Sequence, residues 1–222
     1  MTRRIAAKKK TVPPKPARLK AQQARSKETV RRILDSAMAL MAEKGEAVTM
    51  SEIARRAGVT IGAVYRYFAD KRAIDRAILL AHFDEVEKML GEHIRPATSR
   101  SELIARVQAV YQRYFELHQR DPLFRNIWSV VQTDSALQAL DVADSIKNAR
   151  LFSAVARPFF PQANKEELMA AGVFLLHMAA ASSRLAVALP RPMARRIRPI
   201  YQEVIAGVIG SLGRTRRGRK PA

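Results

Sequence analysis

The hydrophobic positions of this chain recur at helical spacing along most of its length. In the first helical segment, predicted from about Lys27 to Lys44, apolar residues fall at i, i+3, i+4, i+7, i+8 and i+11: Val30, Ile33, Leu34, Ala37, Met38 and Met41. Ser26 is the expected N-cap, and Gly45 lies beyond the end. Later patterns predict helices from Lys71 to just before Pro96 and over residues 103–119, 121–132, 136–156, 165–189 and 193–212. Together they predict an all-α fold.

Residues 49–71 read as two short helices joined by a tight turn. Thr49 and Glu52 have the spacing of a capping box, so a helix is expected to begin at Met50. Gly58 tolerates the left-handed backbone that ends a helix. Thr60 is a second N-cap candidate, and Val64 with Phe68 supplies the buried stripe of a helix of about two turns.

The remaining residues of that second helix are expected to face outward. Its front is small and its back is aromatic and basic: Thr60, Ile61, Gly62, Ala63, Tyr65, Arg66 and Tyr67. Small residues let a helix approach a groove closely, while hydroxyl and guanidinium groups bind phosphate oxygens. The pattern favours a helix-turn-helix unit. The alternative is an ordinary helical corner, in which Tyr65 and Tyr67 only cover its rim.

With the helix before it, this unit resembles the N-terminal DNA-binding domain of the TetR family of bacterial transcriptional regulators. The resemblance covers Thr29 to Ile74, about a fifth of the chain, in the segments TVRRILDSAMALMAEKG and VTMSEIARRAGVTIGAVYRYFADKRAI. An Ile-Ala pair, an Ala-Gly-Val turn, a Gly followed by Tyr, and an aromatic-Phe pair before Lys stand at the family's spacing. Thr60 and Ile74 depart from the usual Ser and Leu.

The resemblance implies a sequence-specific regulator, most often a repressor that a small-molecule effector releases from a palindromic operator in double-stranded DNA. It further implies that Lys71 contacts a phosphate and that the following helix links the DNA reader to a regulatory domain. We therefore expect a disordered basic arm (1–25), a helix-turn-helix domain (26–72), a helical regulatory and dimerisation domain (73–213) and a basic tail (214–222).

Two further DNA-binding candidates are arginines that lie outside the recognition helix. Arg55 and Arg56 stand late in the preceding helix, opposite its apolar side, where they reach either phosphate or a guanine edge, or form only a solvated basic face. The full set of expected DNA-binding residues is Thr49, Arg55, Arg56, Thr60, Ile61, Gly62, Ala63, Tyr65, Arg66, Tyr67 and Lys71.

The last two helices are the expected homodimer interface. The segment 165–189 is apolar on nearly all sides, and the segment 193–212 carries one stripe: Met193, Ile197, Ile200, Tyr201, Val204, Ile205, Val208 and Leu212. Close approach of a partner would be helped by small residues: Gly172, Ala179, Ala180, Gly207 and Gly210. The alternative is a purely internal core. TetR-like proteins dimerise in this way, so the resemblance supports the first interpretation.

An effector cavity is expected among the middle helices, with His177 as its polar group. Its candidate lining residues are aromatic, Met and His: Tyr111, Phe115, Phe124, Trp128, Phe152, Phe174, His177 and Met178. Such residues at helical spacing also make an ordinary core, so each is either a ligand contact or a packing residue. The resemblance implies a cavity whose ligand differs between family members.

The net charge of +20 on 222 residues indicates a polyanionic partner. Residues 1–27 carry ten of the 40 Lys and Arg residues and no acid. This arm either adds phosphate attraction, including in a minor groove, or is a solvated tail. The tail from Arg214 to Lys220 is expected to fray.

Other classes of function find little support. The four histidines are scattered, and no catalytic triad pattern or phosphate-binding glycine loop is present, so we expect no enzyme and no cofactor. His82, Asp84 and Glu85 could form a metal cluster, but a solvated face is favoured and no metal is expected. The absence of Cys fits a reducing compartment. The apolar run from Ala170 to Ala181 is too short to span a bilayer, and no secretory signal is recognised. A cytoplasmic, nucleoid-associated location is expected.

Two non-enzymatic functions compete. The first is the ligand-responsive regulator. The second is a DNA-organising or division-linked dimer of the same fold that senses no small molecule, and the long basic arm favours it. An RNA-binding function is disfavoured because aromatic residues do not interleave with the basic ones outside the reader helix.

Overall fold

The computed structural model describes residues 16–45, 47–120, 128 and 130–214, and within these residues every regular element is helical. The α-helices are α1 (Pro16–Lys44), α2 (Met50–Ala57), α3 (Ile61–Tyr67), α4 (Lys71–His93), α5 (Arg100–Arg120), α6 (Ser135–Ala156), α7 (Lys165–Ala188) and α8 (Arg191–Ser211). A short 3-10 turn, Arg157–Phe159, follows α6, and Trp128 and residues 130–133 are also helical. The all-α prediction is confirmed.

Helix α1 begins 11 residues earlier than predicted, at Pro16 instead of Lys27. The predicted N-cap, Ser26, is therefore an internal helical residue, and the predicted disorder is wrong for residues 16–25. Residues 17–27 are mostly Ala, Leu, Lys, Gln and Arg, which are good helix formers, and Pro is tolerated in a first turn. The rest of the predicted arm, residues 1–15, lies outside the described residues.

Helices α1, α2 and α3 form the predicted three-helix unit. Ile33, Ala37 and Met41 of α1 are buried against α2 and α3, and Val64 is fully buried from the other side. Val30, Leu34 and Met38 pack on the edge of the same cluster. The apolar face predicted for α1 is confirmed, and Leu40 extends it.

Helix α4 connects this unit to the remaining helices. Its N-cap is Asp70, whose carboxylate accepts from the Ala73 backbone N–H at 2.8 Å, and the helix ends at His93, before Pro96 as predicted. Ile74 and Ile78 belong to the same apolar cluster as α1 and α2, and that cluster continues through Leu90 to Val131. The predicted domain boundary after Arg72 therefore falls within the first turn of a helix shared by both halves, and it stays a prediction.

Helices α5 to α8 form a second layered core. Helix α7 packs along α6 and α8, and α5 packs against both α7 and α8. Gly172 of α7 makes this approach possible, because a Cβ atom there would stand 2.9 Å from the Ala149 Cβ of α6. Gly172 therefore serves the packing of α6 against α7 within the chain. The sequence analysis had instead assigned it to a partner contact.

Helix α7 is long and apolar enough to cross a membrane by length and composition, with a mean hydropathy of 1.4 over its most apolar window. The prediction of a run too short to span considered only residues 170–181. In the structure, α6 and α8 cover α7 on two sides, which is the arrangement of a core helix.

Candidate DNA-binding face and regulatory cavity

The capping box at Thr49 fixes the start of α2. The Thr49 hydroxyl accepts from the Glu52 backbone N–H, and the Glu52 carboxylate accepts from the Thr49 backbone N–H at 3.0 Å. Lys44 of α1 donates to the same carboxylate at 2.6 Å. The Lys44 hydrogen bond, followed by those from Thr49, lowers the pKa of Glu52 to about 2. The cap therefore also attaches α2 to α1.

Gly58 and Arg32 hold the turn between α2 and α3. Gly58 has a φ of 63°, so the residue that ends α2 adopts the left-handed backbone predicted for it. The Arg32 guanidinium donates to the carbonyls of Ala57 and Gly58. A Cβ atom on Gly58 would stand 2.9 Å from that guanidinium, which can move aside, so it is the left-handed backbone that requires glycine. No local pattern in the sequence indicates this contribution of Arg32.

The recognition helix α3 presents the predicted front. Its N-cap Thr60 accepts from the Ala63 backbone N–H at 3.2 Å, and Val64 and Phe68 are buried beneath it. Thr60, Gly62 and Arg66 are exposed, as are Ile61 at 40% and Tyr65 at 53%. Ala63 and Tyr67 are half-buried. A ring and an isoleucine side chain exposed to this degree form an apolar and hydroxyl-bearing surface that no other described residue covers.

Tyr67 joins the back of α3 to α1. Its hydroxyl accepts from the Ser26 hydroxyl at 3.2 Å and from the Arg66 guanidinium at 3.1 Å. The same guanidinium lies 4.9 Å from the centre of the Tyr67 ring. The Ser26 hydrogen bond, followed by that of Arg66, lowers the pKa of Tyr67. Tyr67 therefore orients the recognition helix, and Tyr65 remains exposed.

The basic candidates differ in how they are bound. Arg55 is exposed, and no described acid lies within ion-pair distance of it. Arg56 donates to Glu43 at 2.7 Å. Lys71 forms an ion pair with Asp75, one turn along α4, at 3.0 Å, and Asp75 is buried. This pair offsets the unfavourable position of a lysine at a helix N-terminus. A phosphate contact by Lys71 stays a prediction.

A cavity of about 100 Å³ lies between α4, α5, α6, α7 and α8. Of the predicted lining residues, Tyr111, Trp128, Phe152 and His177 do line it. Phe115 packs edge-on against the Tyr111 ring, 5.8 Å away between ring centres, and does not line it. Phe124 lies outside the described residues.

The predicted placement of Phe174 and Met178 in the cavity is wrong. They are 46% and 38% exposed, on the side of α7 that faces away from the other helices. Leu175, Leu176, Ala179 and Ala180 line the cavity in their place. Because α7 is apolar on nearly all sides, its sequence does not indicate which side is covered within the chain.

The polar groups of the cavity were largely missed. Asp141, Asp144 and Asn148 of α6 line it, together with His82 of α4. Burial raises the pKa of Asp144 to about 6 and lowers the pKa of His82 to about 3. The Nδ1 atom of His177 lies 3.6 Å from a carboxylate oxygen of Asp141, at the edge of the cavity. His82 is buried while Asp84 and Glu85 are exposed, so these three side chains do not converge on a metal position. The described residues contain no group suited to hold a metal ion.

Two family models match this chain. Residues 33–78 match the one described as bacterial regulatory proteins, tetR family. Residues 101–206 match the one described as tetracyclin repressor-like, C-terminal domain. The chain belongs to the TetR family.

Curated relatives support this assignment mainly through the DNA-binding end. The A-factor receptor protein of Streptomyces griseus is 46% identical over 68 residues, which are 30% of this chain and 25% of that protein. The HTH-type transcriptional repressor KstR of Rhodococcus jostii is 36% identical over 98 residues, or 44% of each protein. The chain thus matches less than half the length of either relative.

Solved structures of TetR-like proteins share the fold over most of the chain. The fatty acid degradation regulator FadR from Bacillus halodurans matches with a TM-score of 0.64 and 17% identity, covering 86% of this chain and 97% of that one. A TetR-family regulator from Streptomyces coelicolor matches with a TM-score of 0.61 and 20% identity, covering 83% and 97%. These structures show the shared fold, and the regulatory family is shown by the two family models.

Proposed function

We propose that this TetR-family regulator is a repressor that binds a palindromic operator as a homodimer and leaves it when a small molecule fills the cavity. The observation that carries the proposal is the front of α3. Gly62 is exposed, and a Cβ atom there would meet nothing within 4 Å. The helix is held at both ends, by the Thr60 cap and by Tyr67, while Tyr65 projects freely. A rigid helix with a small front suits entry into a major groove.

The phosphate contacts would surround this front. Arg55, Arg66 and the hydroxyl of Tyr65 are exposed around α3. Thr49 and Thr60 are exposed at the N-termini of α2 and α3, where backbone N–H groups also favour anions. Arg56 and Lys71 would also bind phosphates, either after their ion pairs break or by contacting the acid and a phosphate together.

The first turns of α1 would extend the contact. The helix carries Arg18, Lys20, Arg25 and Lys27 before its first acid, Glu28, and residues 20–25 are exposed. Because Ser26 bonds to Tyr67, these turns leave the domain beside the recognition helix. Their charge suits phosphates flanking the groove. The alternative remains a solvated helix end.

The homodimer would form through α7 and α8. On α7, Phe174, Met178 and Leu185 lie at i, i+4 and i+11 and are all exposed; on α8, Met193 and Ile200 lie at i and i+7 and are each 55% exposed. The other part of the α8 stripe, Tyr201, Ile205 and Leu212, is buried within the chain. Exposed apolar residues on two adjacent helices indicate a protein interface. Two readers related by a two-fold axis would meet half-sites roughly 34 to 36 Å apart.

Release by an effector would act through α4. Its first turns, with Ile74 and Ile78, pack under the helix-turn-helix unit, and its later turns, with Val86 and Met89, line the cavity. A molecule that separates α4 from α6 would therefore change the position of the reader. A coupling of roughly 1 to 3 kcal/mol changes operator affinity about 5 to 150-fold.

Selection of bound oligonucleotides from a random pool tests the proposal. We expect an inverted repeat. Affinity for that site should fall about 10³ to 10⁵-fold between 50 and 200 mM salt if six to ten phosphates are contacted. A non-repetitive site or a flat salt response would contradict it. Genome-wide binding separates the competing function: one or a few promoter sites support a regulator in the cytoplasm, and many dispersed sites support a DNA-organising dimer.

A further inference from the structure

The cavity opens beside a local excess of carboxylates in a strongly basic protein. Asp141 and Asp144 of α6 line the cavity, and Glu87 of α4 faces them across its edge. Two described cations lie among these three carboxylates: Lys147, bound to Glu87 at 2.6 Å, and Arg184, near Asp141 and 4.8 Å from the centre of the Trp128 ring. In a chain with a net charge of +20, this is an acidic opening in a basic surface. Such a field attracts cations and disfavours anions.

Asp144 is the carboxylate without a matching cation. Asp141 has His177 at 3.6 Å and the nearby guanidinium of Arg184. Asp144 accepts only a neutral hydrogen bond, from the Asn148 side-chain amide at 2.8 Å, and no described cation lies within ion-pair distance of it. Lys147 offsets part of this burial through space, and a half-buried carboxylate without a direct ion pair is still an unfavourable arrangement for the empty protein.

Trp128 supplies a second, independent sign of a missing ligand. Its side chain is 6% exposed and lines the same cavity, and its indole N–H has no acceptor in the part of the chain that the structure describes. Buried donors are nearly always hydrogen-bonded. Tyr114 and Phe152 provide aromatic walls beside it. The cavity thus combines a free donor, aromatic faces and a negative mouth.

We propose that the effector is a small organic cation: a protonated amine on a compact apolar or aromatic body, with an atom that accepts the Trp128 N–H. This rests on the proposed function, in which the cavity is the effector site. The ammonium group pairs with Asp144, and the body contacts the aromatic walls, which also attract cations. The cavity of about 100 Å³ is smaller than the 150 Å³ apolar cavity that holds one benzene ring, so only part of the body enters it and the ammonium group stays at the mouth.

Three probes of equal size and different charge test this: benzylamine, benzyl alcohol and benzoate. Trp128 is the only tryptophan of the chain, so its fluorescence reports directly on the cavity, and calorimetry gives the affinities. Near pH 7.5 protonated benzylamine has no acceptor for the Trp128 N–H, so the series tests the charged contact alone, and we expect benzylamine to bind more tightly than the other two. Asp144→Asn should weaken benzylamine about tenfold or more and leave benzyl alcohol within about twofold. Asp35→Asn, the same change at an exposed position of α1, is the matched control and should weaken neither.

Equal binding of benzyl alcohol and benzylamine would overturn the inference, as would unchanged benzylamine affinity in Asp144→Asn, or no binding of any probe at millimolar concentration. A mobility shift with operator DNA separates this result from the proposed function. If benzylamine binds through Asp144 but does not release DNA, the ligand class stands and effector release fails. If another molecule releases DNA while benzylamine never binds, effector release stands and the proposed ligand class fails.

Discussion

Replacing Gly62 by alanine should make the protein more stable and a weaker DNA binder at once. A Cβ atom at this position meets nothing within 4 Å, so the methyl group fits without a clash. Alanine in a helix is favoured over glycine by about 0.5 to 1 kcal/mol. For a chain of this size, that corresponds to a rise of about 1 to 4 °C in Tm.

The same methyl group would occupy the space that we assign to the edge of the DNA groove. A misfit of about 1 to 3 kcal/mol per recognition helix is typical of overpacking a close contact, and it lowers affinity about 5 to 150-fold per half-site. Scanning calorimetry measures the stability, and fluorescence anisotropy with the selected operator at fixed salt measures the affinity. We expect the Tm to rise and the operator affinity to fall in the same variant.

Gly91→Ala is the matched control. Gly91 is exposed in α4, and a Cβ atom there also meets nothing within 4 Å. This variant should gain similar stability and keep the wild-type operator affinity. If Gly62→Ala were stabilised and still bound the operator like the wild type, the front of α3 would not lie in the groove, and our assignment of the DNA-binding face would be refuted.

Three further predictions concern the second half of the chain. Burial raises the pKa of Asp144 from 3.8 to about 6, so the folded protein loses stability as pH rises through this window. Asp144→Asn should therefore be about 1 kcal/mol more stable than wild type near pH 8 and as stable as wild type below pH 3.8. A stability difference that does not change with pH would contradict the burial of this carboxylate. Gly172→Ala should lower the free energy of unfolding in urea by about 1 to 3 kcal/mol, because its Cβ would stand 3.1 Å from the Ala149 backbone; an unchanged midpoint would mean that α6 and α7 separate easily. Phe174→Arg should give monomers in light scattering, whereas Val142→Arg, at a similarly exposed apolar position of α6, should leave the dimer intact; the opposite result would move the interface to α6.

The helix-turn-helix unit was predictable because its signals are local. A capping box, one glycine and a second N-cap within 20 residues predicted the start and end of α2 and the start of α3, and each was confirmed. The start of α1 was not predictable in the same way. Three prolines and a run of lysines suggest disorder, while the helix-forming residues after Pro16 act only once their contribution is summed over several turns.

The cavity was only half predictable, for a different physical reason. Four of its aromatic and histidine residues were found from their residue types, but Phe174 and Met178 were not separable from them. Periodicity shows which residues share a side of a helix, and α7 has no polar side to orient it. Asp144 was missed because a carboxylate on a mixed helix is usually solvated. Its burial depends on α4, more than 50 residues earlier in the sequence.

One consequence of the shared helix α4 is geometric. Val86 at the cavity and Lys71 beside the recognition helix belong to the same unbroken rod, 15 residues and about 22 Å apart. A tilt of about 5° about the cavity end moves the far end by about 2 Å, and two-fold symmetry would double this to about 4 Å between the readers. Set against a half-site separation of about 34 Å, that error is more than one base-pair step. A tilt of only a few degrees at the cavity would therefore be enough to move both readers out of phase with the duplex.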